Sequence, residues 1–225
     1  FGTIPKRPAF EAYASRVLII RELGLPAVGL YTASWTLSSV YVTTVLGAMG
    51  TDFYPRLTAV AHDNAAVNRL VTEQTEMGLL MATPGILATL ALAPWVLSLF
   101  YSPAFAPAAD VIRWQVLGVG LRVVSWPLCY IILAKGLPRT YIATEGLSWV
   151  LHVLLVAACL RLWGLEGSGI AFALTYVVVT LMYYQVGRHA STFGWTRRSL
   201  TVLGSGAALC GVAFAITRTL PPGLN

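Results

Sequence analysis

Two ionisable residues, Arg122 and Glu145, fall well inside long apolar stretches. A charge in hydrocarbon costs about 2.5–3.5 kcal/mol on insertion scales, so such residues face protein or water and often mark function. Arg122 lies about twelve residues into the run that starts near Asp110, roughly 18 Å along a helix axis and near mid-membrane. Helical spacing puts Gln115, Gly118, Trp126 and Cys129 on its face, so a cation stands with an amide and an indole. On the next apolar run, Tyr141, Glu145, Trp149 and His152 also share one face. A carboxylate and an imidazole two turns apart could relay protons or pair with Arg122. A purely structural Arg–Glu or Arg–His pair fits the same spacing.

A third group is rich in small hydroxyls: Thr32, Ser34, Thr36, Ser38, Ser39, Thr43 and Thr44, with Tyr31, Trp35 and Ser38 along one stripe. Hydroxyls commonly join helices inside membranes; aromatics with hydroxyls also suit a sugar-lined cavity. Other chemistry has no motif here: no catalytic carboxylate pair, phosphate loop, HExxH or nucleophile elbow is present. Cys129, Cys159 and Cys210 are widely spaced in apolar sequence and read as small packing residues. Neither metal nor cofactor is expected, and no enzymatic activity.

Such residues need elements to hold them, and the composition says which kind. Only 11% of the 225 residues are charged, 15 basic and 9 acidic, while 57% are hydrophobic. An ordinary soluble domain carries roughly 25% charge, so a soluble enzyme or nucleic-acid binder is excluded. The expected fold is all-α, a polytopic membrane helix bundle. Spans of about 20 apolar residues are expected near 28–50, 77–101, 108–134, 140–162 and 167–186, with a possible further one at 200–218. Residues 1–27 then form the end of a preceding helix and a connector, and 187–225 a cytoplasmic loop with that extra span. The chain begins at Phe1 without a signal peptide and reads as a piece of a longer protein.

Loops 51–76, 135–139 and 187–199 hold most of the loop Lys and Arg, and the alternate loops 102–107 and 161–166 hold one arginine. The positive-inside rule puts the basic set in the cytoplasm. Trp95, Phe100, Tyr101 and Trp163 then sit at the other interface. The stretch Phe10–Leu25 breaks the alternation, because it brings Arg16 and Arg21 to the outer side. Those arginines either face a cavity or snorkel from a surface helix.

Four strings carry a resemblance: Arg21–Gly24 with Val28–Trp35, Asp52–Thr58, Leu99–Ala108 and Gly164–Ala173. In this order they resemble the second half of bacterial polysaccharide flippases, the O-antigen translocases among the MATE-like exporters of lipid-linked oligosaccharides. The similarity covers about residues 10–190. It implies the C-terminal lobe of a two-lobed transporter in the bacterial inner membrane, moving an undecaprenyl-diphosphate-linked oligosaccharide by alternating access. Arg16, Arg21 and Arg122 would attract the diphosphate, Tyr31 and Trp35 would meet the sugars, and Trp126 would also line the substrate site. Glu145 and His152 would couple an ion or form an internal pair. Membrane lipids, a glycan polymerase and chain-length proteins are the implied partners. The stretch 200–218 departs from the family's twelve-helix plan. A cation-coupled multidrug antiporter of the same superfamily is the alternative, although only Glu145 supplies the acid it would need. A non-transporting membrane partner in glycan assembly is a third reading.

Overall fold

The computed structural model describes residues 7–219. The outermost parts of the two terminal segments, including Lys6, lie outside the described residues. Seven helices follow one another: α1 Arg7–Leu23, α2 Leu25–Ala59, α3 Asn64–Phe100, α4 Ala108–Ala134, α5 Pro138–Trp163, α6 Glu166–Ser191 and α7 Arg197–Thr219, with a 3-10 turn at Pro103–Phe105. No strand occurs among the described residues, and the chain is an all-α polytopic bundle.

Five helices, α3 to α7, are long and apolar enough to cross a membrane. The α2 helix has 35 residues but is not among them, because its hydroxyls dilute its hydropathy. Thr36 and Thr44 turn back onto their own helix, donating to Thr32 at 3.0 Å and Val40 at 2.9 Å, whereas Ser34 and Ser38 also reach α4, at the Ala108 carbonyl (3.2 Å) and Gln115 Oε1 (3.0 Å). Back-bonding of this kind satisfies a hydroxyl without a partner helix.

Helix α4 forms the centre of the bundle. It packs most extensively on α6 and also on α2 and α3, while α5 lies on α6 and α1, and α7 on α3. Between membrane helices there is little hydrophobic drive, so small residues that let backbones approach supply much of the contact. A Cβ at Gly169 would sit 2.7 Å from the Val111 carbonyl oxygen, and one at Gly167 would sit 2.0 Å from that of Cys159. Only glycine permits α6 to start this close to both α4 and α5. Large apolar side chains such as Ile142, Leu154, Leu209 and Val212 point outward instead, forming a lipid-facing surface.

The connections sort into two ends. Lys135 Nζ donates to the Ala61 carbonyl at 2.6 Å and to Asn64 Oδ1 at 2.5 Å, and Asn68 Nδ2 donates to the Ser191 carbonyl at 3.0 Å. These bonds gather the α2–α3, α4–α5 and α6–α7 connections, the basic set, at one end. Asp63 caps α3 there by accepting from the backbone N–H groups of Ala65 and Ala66. At the other end the Arg161–Glu22 pair at 3.3 Å ties α5 to α1. Helix α7 is pinned near both its ends, by Arg198 to Glu76 at 3.2 Å and by Arg218 to Glu166 at 2.9 Å.

Candidate functional site

A cavity of about 390 Å³ opens between α2, α4, α5 and α6. Its principal wall comes from α4, where Arg122, Ser125, Trp126 and Cys129 recur at helical spacing on one face. Helix α5 adds Tyr141 and Glu145, and α6 adds Tyr176 and Tyr183. The α2 wall is low, with Gly47 and Gly50 between Thr43 and Thr51. A pocket of this size lies near the lower end of the range for small-molecule sites, roughly 300–1,000 Å³.

The ionisable groups in this cavity are held differently. Glu145 is 6% exposed and accepts a short hydrogen bond from the Tyr183 hydroxyl, so its carboxylate is part of the wall. The Arg122 side chain, half-buried, makes no hydrogen bond or ion pair among the described residues. Tyr130 is 2% exposed and its buried hydroxyl also lacks a partner. Its ring stands edge-to-face against Trp126, with centroids 4.7 Å apart, and against Phe53 at 5.6 Å. Both groups thus border the void with hydrogen-bonding capacity unused among the described residues.

A second polar region lies where α1 meets α5 and α6. His152, 1% exposed, sits between Ser15 Oγ at 3.1 Å and Thr175 Oγ1 at 3.2 Å. Thr175 donates its own proton to the Ala171 carbonyl at 2.7 Å. Thr175 therefore accepts from the imidazole Nδ1, while Nε2 meets the Ser15 hydroxyl. Next to it, the Tyr176 hydroxyl donates to the carboxylate of buried Glu11 at 3.2 Å. Tyr176 also lines the cavity, so it joins the two regions.

Of the residues singled out in the sequence, Arg122, Trp126 and Glu145 come together in the cavity, and His152 lies in the second region. Tyr31 is buried and stacks on Trp35 at 6.2 Å, and Trp35 meets Phe172 edge-on at 5.3 Å. That pair packs inside the bundle, outside the cavity lining. Arg16 is half-buried with its Nε unpaired, while Arg21 is exposed near the end of α1. Sequence reasoning missed Tyr130, Tyr176, Tyr183, Gly47 and Gly50 in the cavity, and Glu11, Ser15 and Thr175 around the histidine. The four-residue steps from Glu11 to Ser15 and from Trp126 to Tyr130 were the available signal. Among the described residues no group of His, Cys, Asp or Glu could hold a metal ion.

A bundle of apolar helices enclosing a polar recess defines a multi-pass membrane protein. Comparison with known proteins narrows the class. Residues 9–110 match the model of a family described as "Polysaccharide biosynthesis protein". Over 168 residues, 72% of the chain, it is 23% identical to the lipid III flippase of Escherichia coli (strain K12), and to the same degree to that of Shigella flexneri. The chain spans about two-fifths of the length of these relatives, 39% by the matched region. No solved structure matches the chain significantly. Over part of its length the chain is thus similar to a polysaccharide-biosynthesis family and to lipid III flippases.

Proposed function

We propose that the chain forms one side of the path by which an undecaprenyl-diphosphate-linked oligosaccharide, an O-antigen or related repeat unit, is flipped to the outer leaflet by alternating access. The observation that carries this reading is Arg122, a cation without an acidic partner in a cavity among membrane helices. A diphosphate offers such a guanidinium paired, charge-assisted hydrogen bonds, and a low-dielectric site strengthens them. Helix α2 supports the same reading. Its exposed Thr36, Thr43, Thr44 and Thr51 give it a hydroxyl-bearing face that suits a hydrated head group.

The prenyl tail stays in the bilayer while the head group follows the polar side. Arg16 and Arg21 provide a second cationic station along α1, toward the end opposite the basic loops, which face the cytoplasm. Glu145 and His152 hold the walls through Tyr183, Ser15 and Thr175 rather than touching cargo. The test is complementation of a flippase-deficient strain with the complete gene. Arg122→Ala should abolish surface glycan at normal protein level, and Arg122→Lys should restore part of it. Normal glycan with Arg122→Ala would overturn the proposal.

A further inference from the structure

Resting on the flippase reading, we infer that the Trp126–Tyr130 corner of the cavity is a saccharide subsite that takes the pyranose next to the diphosphate. Three observations carry it. First, Trp126 and Tyr130 meet at 64° with centroids 4.7 Å apart, backed by Phe53, so two fixed aromatic rings border the same void as Arg122. The electron-rich face of an aromatic ring attracts the polarised C–H face of a sugar, while its edge leaves hydroxyls free to bond elsewhere.

Second, the Tyr130 hydroxyl is buried and without a partner among the described residues, 3.9 Å from where a Cβ at Gly50 would lie. A buried hydroxyl left unpaired carries a desolvation cost that a ligand hydroxyl or amide carbonyl removes. Third, α2 faces the corner with two glycines, Gly47 and Gly50, among Thr43, Leu46 and Thr51. A Cβ at Gly50 would come to 3.1 Å from the Trp126 ring, and one at Gly47 would project into open space. The room is limited too, since about 390 Å³ must also hold the groups that reach Arg122. The corner thus accommodates a single ring, and further sugars extend past it along the threonines of α2.

The test compares two probes, farnesyl diphosphate and farnesyl diphosphate carrying one N-acetylglucosamine, by titration calorimetry on the protein purified in detergent from its complete gene. The wild type should bind the sugar-bearing probe roughly tenfold or more tighter, as expected for an aromatic contact plus one hydrogen bond. Tyr130→Phe should remove about fivefold of that preference, the worth of one hydrogen bond. Trp126→Ala should remove most of the rest, and both should bind the bare diphosphate as before. Equal wild-type affinity for both probes overturns the subsite and leaves the flippase reading standing. Equal weakening of both probes by Trp126→Ala also overturns the subsite, because the corner then packs the prenyl chain. Failure of the wild type to bind either probe overturns the subsite together with the flippase reading.

Discussion

The cavity and the α1 contact are both polar, both draw on α5 and α6, and share Tyr176, yet they treat their polar groups in opposite ways. Around His152 each ring nitrogen has a hydroxyl partner. In the cavity the Arg122 guanidinium and the Tyr130 hydroxyl have none among the described residues. A buried polar group that is satisfied from within holds helices together. One left unsatisfied beside a void costs free energy that a ligand can offset. The difference separates a satisfied polar knot from an unsatisfied recess, which the proposed function makes a binding surface, although both contain residues that look equally costly in hydrocarbon.

The separation can be broken by substitutions on either side. The largest effect expected is on binding. Arg122→Ala should weaken binding of a lipid diphosphate by roughly 10- to 150-fold, the loss of about 1.5–3 kcal/mol from charged hydrogen bonds. Its thermal midpoint in detergent should barely move. A large fall in midpoint would make Arg122 part of the wall instead.

His152→Leu should show the reverse pattern, losing about 1–3 kcal/mol of stability as the buried Ser15 and Thr175 hydroxyls lose their imidazole partner. Lipid-diphosphate affinity of the folded fraction should be unchanged, and a selective loss of binding would move His152 into the site. Tyr176→Phe tests the link between the regions. Removing the bond to Glu11 should lower stability by about 0.5–1.5 kcal/mol, and calorimetry should find binding within a few-fold of wild type. Smallest of all is Arg198→Gln. Its partner Glu76 keeps the Ser199 hydroxyl at 2.8 Å and Arg198 is 81% exposed, so unfolding should shift by less than about 1 kcal/mol.

Hydropathy marks the membrane because charge is expensive there, and so Arg122 and Glu145 were visible in the sequence. It measures only apolar content, so it did not show that α2 runs on to Ala59 or that α3 begins at Asn64. Amphiphilic first and last turns extend these helices beyond the uncharged stretch. Within the cavity, Trp126 was found through its spacing from Arg122. Tyr130, Tyr176 and Tyr183 were not, since a tyrosine in an apolar run is equally at home in packing. Tyr31 and Trp35 share a stripe that the sequence shows, but not that Trp35 packs edge-on against Phe172 or that the Tyr31 hydroxyl reaches Ser15. Glu11 lay outside every expected span, and only the packing of α1 on α5 and α2 reveals how deeply it is buried.

The central claim is that the cavity selects an anion, and Cys129 in its wall offers a direct readout. With Cys159 and Cys210 replaced by serine, the modification rates of Cys129 by an anionic and a cationic thiosulfonate would be compared, each relative to its rate with a small thiol. We predict that the anionic reagent is favoured, that farnesyl diphosphate protects Cys129, and that Arg122→Ala abolishes both effects. A preference for the cationic reagent, or rates that Arg122→Ala leaves untouched, would contradict the account.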